Sequence, residues 1–292
     1  MAEVAVYHAL NRLAPGRVRS GELMRKHTSW RIGGPAEYLV EPGDSIELAR
    51  VIVYARTQGI PVLTIGAGSN LLVSDAGIKG IVVKIGQAMA KIVRHGQELS
   101  VEAGARLAAV AAAARDAGLG GFEFAAGIPG AVGGAICMNA GVNGADTGSL
   151  VKRVLLVAAT GETYTRNREE MEFGYRESIL QRAPATVAEV VFTGYPKPQA
   201  QIQAETEAYL ARRKTSQPLQ YPNAGSVFKN PPGDSAVLCA SCGWIPAQKY
   251  TSRCIFAIIC TAFDEATSVP GAKTCRTPML PNEAISASRS VS

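Results

Sequence analysis

A mixed α+β fold is what the sequence predicts, from three observations. Short apolar stretches bounded by Gly, Pro or Asn read as strands. Capped or 3.6-periodic stretches read as helices. The two kinds alternate along the chain with no internal repeat, and a change of character falls near residue 197.

Taken in order, Glu37–Val40 is the first expected strand. Asp44 then caps a helix with Glu47 as its capping-box partner, and Gly59 ends it. Pro61–Ile65 is a strand running into the turn Gly66-Ala67-Gly68-Ser69-Asn70, and Ile81–Ile85 is apolar enough for a buried strand. Ile92–Val101 reads as a hairpin closing on His95-Gly96. Leu107, Val110, Ala111 and Ala114 share one helical face, and Gly118 stops that helix. After a glycine-rich stretch from Gly118 to Gly148, Val151–Ala159 and Val187–Phe192 are expected strands, the first turning at Thr160-Gly161-Glu162. Tyr195-Pro196-Lys197-Pro198 reads as a linker, because prolines on both sides of a lysine interrupt a ladder. Gln199–Lys214 is a polar helix whose Arg212, Arg213 and Lys214 complement the negative end of its dipole.

Of 292 residues, 47% are hydrophobic and 18% charged, the balance of a globular enzyme and not of a disordered chain. The longest apolar run, Cys254–Cys260, is far short of the roughly twenty residues a membrane span needs. Neither a membrane nor a secretory leader is expected, so the cytoplasm is the expected compartment. The net charge of +6 is not gathered into one run, which suits a small anionic ligand and speaks against nucleic acid.

Two glycine loops carry the candidate binding chemistry. Gly66-Ala67-Gly68-Ser69-Asn70-Leu71 follows a strand but has Leu71 where a dinucleotide fingerprint has its third glycine, so a Rossmann reading is poor. Glycines let the backbone approach an anion, and Ser69 and Asn70 add donors; a plain turn is the alternative. The second loop, Gly127-Ile128-Pro129-Gly130-Ala131-Val132-Gly133-Gly134, runs on to Asn139-Ala140-Gly141. It removes side chains where a flat or phosphorylated group presses on the backbone. Two such loops suit a long ligand with a pyrophosphate in its middle.

With the segment Thr28-Ser29-Trp30-Arg31-Ile32-Gly33-Gly34-Pro35-Ala36, these loops resemble UDP-N-acetylenolpyruvoylglucosamine reductases, the MurB family, over roughly residues 20–236. The resemblance implies an FAD-binding domain of the vanillyl-alcohol-oxidase (PCMH) type, built of two α+β subdomains, and a smaller, incomplete α+β substrate domain. It implies non-covalent FAD on Gly66 to Leu71 and on Gly127, Ile128, Gly130, Gly133, Gly134, Asn139, Ala140 and Gly141, with NADPH as co-substrate. It also implies a nucleotide-sugar substrate, a monomer, and a part in peptidoglycan synthesis, hence in cell wall biogenesis, shape, cell cycle and division.

Gly174-Tyr175-Arg176-Glu177-Ser178 and Asn223 to Pro231 are similar to the family's two catalytic motifs. The implied reaction carries hydride to the β-carbon of an enolpyruvyl group. A fixed cation beside the carboxylate stabilises the charge that develops, and Arg176 suits that part because a guanidinium grips a carboxylate with two bonds. Ser226 suits the proton donor to the α-carbon, an enolate being basic enough to take a hydroxyl proton. Tyr175, Asn223, Lys229 and Asn230 are expected around the substrate.

After residue 236 the resemblance stops. The family's Gly-Gly turn, His-Ala-Asn segment and late glutamate have no counterpart, and Glu283 stands in the wrong context to be that acid. Only Cys137 precedes this point, whereas Cys239, Cys242, Cys254, Cys260 and Cys275 follow it. A zinc site is one reading, but no second paired knuckle follows Cys239-x-x-Cys242. A shifted reading frame accounts better for the simultaneous loss of pattern and gain of cysteine, and no metal is expected. The expected division is a lead-in at 1–20, the FAD-binding domain at 21–196, the start of a substrate domain at 197–236, and a divergent, irregular tail at 237–292. An FAD-binding protein of weak or lost activity, and a flavin oxidase of another substrate, are the competing functions.

Overall fold

The computed structural model describes residues 2–217, 219–222, 229 and 257–259. The chain starts with α1 (Ala2–Leu13), where the sequence leads one to expect only a lead-in. Its Leu10, together with Ala14 just beyond, is fully buried, and Tyr38 donates to the Glu3 carbonyl at 3.1 Å. This helix therefore belongs to the first layer. β1 (Val18–Leu23) follows, so a boundary at residue 20 would cut a strand. β1 is not legible in the sequence because Arg19, Ser20 and Glu22 interrupt any apolar run.

β2 (Pro35–Val40), α2 (Ser45–Thr57), β3 (Val62–Ile65), β4 (Leu71–Val73) and β5 (Ile78–Lys84) complete the first subdomain. Its four-stranded sheet has the order β1-β2-β5-β3, with β1 antiparallel to β2 and both β2 and β3 parallel to β5. Tyr38, Val40, Ile81 and Val83 pack into the main core with α2, while Leu39, Ile65 and Val82 pack with Met24 and Val73. Burial on both faces explains why β5 reads as a continuous apolar run. Asp44 accepts from the Ile46 and Glu47 amides at 2.9 and 2.8 Å, as its cap role requires. The return arm is shifted by one residue, since Glu47 accepts from the Gly43 amide at 2.7 Å.

The second subdomain begins with β6 (Ile92–His95) and β7 (Glu98–Glu102). His95 pairs with Glu98, so Gly96-Gln97 are the turn residues, one position later than expected. Next come α3 (Leu107–Asp116), β8 (Leu119–Gly120), α4 (Val132–Cys137), β9 (Gly141–Val142), β10 (Ala145–Asp146), β11 (Val151–Val157), β12 (Thr163–Asn167) and β13 (Thr186–Thr193). An antiparallel five-stranded sheet has the order β12-β11-β13-β7-β6.

Two sequence expectations are corrected here. Tyr195–Pro196 is not a linker but a strand, β14, antiparallel to β8. Proline is tolerated because the next residue supplies the donor, Lys197 N–H to the Gly118 carbonyl at 3.0 Å. α5 (Gln199–Ser216) follows and packs on the Glu123–Gly127 turn. The tail is not irregular throughout, because Ala257–Ile259 forms β15, parallel to β4. Among the described residues no helix is long and apolar enough to cross a membrane, and no acidic, Cys or His cluster could hold a metal. The tail cysteines lie outside the described residues.

Candidate functional site

The two glycine loops meet where the two sheets meet. Thr64 Oγ1 at the end of β3 and Thr186 Oγ1 at the start of β13 are 3.0 Å apart, and β3 runs straight into Gly66. A Cβ on Gly66 would stand 3.1 Å from the Ala131 Cβ, and one on Gly130 would stand 3.2 Å from Ser69 Oγ. At Gly134 a Cβ would meet nothing within 4 Å, so its backbone faces open space. The junction is thus a surface of bare backbone that a flat or phosphorylated group can approach closely. Gly66, Gly130, Ala131 and Gly134 form it.

Each loop is fixed from behind. Gly68 has φ +66°, and a Cβ there would fall 1.8 Å from the His27 carbonyl oxygen. The Gly68 carbonyl accepts from the Ser29 amide at 3.1 Å. Thr28 and Ser29 therefore brace the first loop. Beside that brace, His27 lies between Glu22 and Lys84, each at 3.0 Å. Burial pushes the Glu22 carboxyl up, but hydrogen bonds from His27 and Lys26 outweigh it and hold the group below its usual range. The second loop is docked on sheet two by the Val132 and Gly133 amides, which donate to the Ala105 and Ala103 carbonyls at 2.9 and 2.8 Å. Arg213, expected only as helix-end charge, donates from α5 to the Gly127 carbonyl. Burial pulls the Arg213 pKa down.

Arg176 sits on a four-residue turn closed by Gly174 and Glu177, whose amides donate to each other's carbonyls at 3.0 and 3.2 Å. Its φ of +59° is a left-handed conformation that an arginine adopts only under restraint. The guanidinium reaches back to the second loop, donating to the Gly141 carbonyl at 2.7 Å and to the Asn139 carbonyl at 3.5 Å. Tyr175 is 55% exposed, with its ring 5.5 Å from the guanidinium carbon. Lys229 Nζ is 2.8 Å from Glu177 Oε1, which brings that residue to the same turn.

The structure thus gathers Gly66–Leu71, Gly127–Gly141, Tyr175, Arg176 and Lys229. Asn223, Ser226 and Asn230 lie outside the described residues. Asn139 lies on the second loop as expected of a cofactor residue, but its side chain is 4% exposed and turned to protein atoms. Gln181, absent from the sequence reading, donates to the Arg176 carbonyl at 3.0 Å and the Cys137 carbonyl at 3.1 Å. No motif signals it. A groove of about 610 Å³ between α2 and the β11–β12 hairpin shares none of these residues and carries no group suited to the chemistry.

The FAD binding domain family matches residues 36–166. A UDP-N-acetylenolpyruvoylglucosamine reductase of Desulforamulus reducens is 43% identical over 235 residues, covering 80% of this chain and 78% of the relative. A second such reductase, from Symbiobacterium thermophilum, is 45% identical over 222 residues, covering 76% and 72%. Among solved structures, UDP-N-acetylenolpyruvylglucosamine reductase (MurB) of Thermus caldophilus superposes with a TM-score of 0.67 at 32% identity, over 78% of this chain and 80% of that one. The wild-type glucose dehydrogenase Phl p 4.0202 shares the fold at a TM-score of 0.51 and 16% identity, over 68% of this chain and 45% of its own.

Proposed function

The chain belongs to the UDP-N-acetylenolpyruvoylglucosamine reductase family, and on that footing we propose that it is an FAD-dependent oxidoreductase reducing the enolpyruvyl group of UDP-N-acetylenolpyruvoylglucosamine with NADPH. The product is UDP-N-acetylmuramate, a peptidoglycan precursor, which ties the enzyme to cell wall biogenesis, cell shape, division and the cell cycle. It acts as a cytoplasmic monomer. The FAD-binding domain is assigned to residues 21–196 with its start extended to include α1 and β1, the substrate domain begins at 197, and the chain beyond 236 is divergent. The 235 residues matched in the Desulforamulus relative are about the length of chain before that break.

One observation carries the reading: two backbone-exposing glycine loops join at the subdomain boundary, and the Arg176 guanidinium rests on the second of them. Bound FAD supplies a two-electron carrier between NADPH and the substrate double bond. Gly66 to Leu71 and Gly127 to Gly141 hold it without a covalent link. Arg176 directs its remaining donors at the substrate carboxylate and stabilises the negative charge that grows there as the β-carbon gains hydride. Ser226 gives its hydroxyl proton to the α-carbon, and Lys229, Asn223, Asn230 and Tyr175 bind the diphosphate and sugar.

The test separates the half-reactions. The purified protein is expected to be yellow or to become so with FAD. Arg176→Ala and Ser226→Ala should leave flavin reduction by NADPH nearly intact and slow reoxidation by the enolpyruvyl substrate about a hundredfold or more. A folded protein that refuses FAD sinks the reading; equal loss in both half-reactions removes the catalytic roles.

A further inference from the structure

Both polar atoms of the Asn139 side chain are committed inside the protein. Its Nδ2 donates to the Gly174 carbonyl at 2.9 Å, and its Oδ1 accepts from the Gly148 amide at 2.8 Å and from Thr147 Oγ1 at 3.5 Å. Its own φ of +40° lies in the left-handed region, which asparagine tolerates better than most side chains. The residue is thus oriented toward Gly174, the first residue of the turn that carries Arg176.

That turn needs an outside restraint, because Arg176 is held at φ +59° in its third position. Several restraints on it end on the same short stretch of chain. Asn139 holds Gly174, Ser178 Oγ donates to the Cys137 carbonyl at 2.8 Å, and Gln181 bridges the Arg176 and Cys137 carbonyls. The Arg176 guanidinium closes the loop on the Asn139 and Gly141 carbonyls. The flavin loop and the turn are consequently one hydrogen-bonded unit, with Asn139 at its buried centre.

We propose that Asn139 is a positioning residue: its side chain fixes the Arg176 turn to the flavin loop, so that ordering the loop around cofactor also sets the cation for the substrate carboxylate. The inference rests on the reading of Arg176 given above. With both side-chain polar atoms taken by protein groups, Asn139 would meet the cofactor through its backbone.

Asn139→Asp is the informative variant. Aspartate keeps the acceptor for Gly148 and the tolerance of positive φ, but when ionised it turns an oxygen on the Gly174 carbonyl. Reoxidation by the enolpyruvyl substrate should slow about thirtyfold, a far larger loss than any in FAD affinity or in flavin reduction by NADPH. Acidification should restore part of that rate, because a protonated carboxyl again donates to Gly174. In an Arg176→Lys background the same change should add almost nothing, since Asn139 acts through Arg176. Amide hydrogen exchange supplies a readout independent of turnover. Residues 174–178 should exchange faster in Asn139→Asp, with and without FAD, and in the unaltered protein FAD should protect that turn together with residues 139–141.

If the unaltered protein does not reduce the substrate, the reductase reading falls and the exchange data still decide the role of Asn139. Should Asn139→Asp not fold, the FAD-linked protection of residues 174–178 in the unaltered protein decides instead. Unchanged exchange at the turn overturns the proposal. So does a loss of FAD affinity beyond about tenfold with the turn intact, which would make Asn139 a direct cofactor ligand.

Discussion

Lys197 shows how much a single side chain decides in this molecule. Its ammonium lies 2.9 Å from Glu123 and 2.7 Å from Glu205, and the Lys197 and Glu123 side chains are 12% and 6% exposed. Burial opposes the charge, but the hydrogen bonds to Glu205 and Glu123 outweigh it and hold the pKa well above the ordinary lysine value. A raised lysine pKa stabilises the fold fully below the unfolded value and loses that contribution only as pH rises through the folded one. The pair should therefore hold across neutral and mildly alkaline pH. Lys197→Met leaves Glu123 buried without a counter-ion, its carboxylate still accepting from the Gly121 amide at 2.8 Å, a loss of about 3 kcal/mol. Thermal unfolding should show a large fall in Tm for Lys197→Met and partial recovery on adding Glu123→Gln. A small shift in the single variant would mean that water reaches Glu123. In the sequence Lys197 reads as part of a linker, because a buried ion pair with a residue 74 positions away leaves no local trace.

Among the elements, the β11–β12 hairpin is legible in the sequence and its packing is not. Thr160-Gly161-Glu162 marks the turn, and Gly161 has φ +83°. The tip presses on α2 so closely that a Cβ on Gly161 would fall 2.2 Å from Val53 Cγ2. Gly161→Ala combines a conformation unfavourable to alanine with a clash against a packed helix, and should cost about 1–3 kcal/mol. Denaturant unfolding should register that loss, and Val53→Ala in the same chain should return part of it. Were the two effects additive instead, the hairpin would not bear on α2. Because this contact joins elements of the two subdomains, no local pattern could announce it. β5 is the opposite case, since burial on both faces writes itself directly into an apolar run.

At the scale of the whole molecule, capping, periodicity, turn chemistry and packing agree with one another through α5, as they do in sequences that specify one fold. The expected break in sequence pattern comes after residue 236. Beyond it the sequence signals do not agree, yet Ala257–Ile259 adds a strand beside β4. Strand pairing uses backbone donors and acceptors, so an apolar stretch of almost any origin can pair with an extended segment such as β4, which belongs to neither large sheet. This makes β15 compatible with a tail translated from a shifted frame. One of the other two frames of the same DNA should then encode the Gly-Gly turn, the His-Ala-Asn segment and the late glutamate. Their absence from both frames, or stoichiometric zinc bound through the tail cysteines, would return the segment to the status of a genuine domain.

The sequence by itself determined the α+β class, the longer strands of the two sheets, the helices α2, α3 and α5, the two glycine loops and the Arg176 motif, because each is written in neighbouring residues as periodicity, a cap or a run of small side chains. The tertiary structure alone decided that the loops abut through Gly66 and Ala131, that α1 and β1 belong to the first subdomain, and that Tyr195–Pro196 pairs as a strand. It also decided that Asn139 faces the Arg176 turn and that Arg213 holds Gly127. The physical reason is common to all of these. A hydrogen bond or a close contact between residues far apart in the chain depends on where two elements come to rest, and that is fixed by burial and packing over the whole fold, not by the residues on either side.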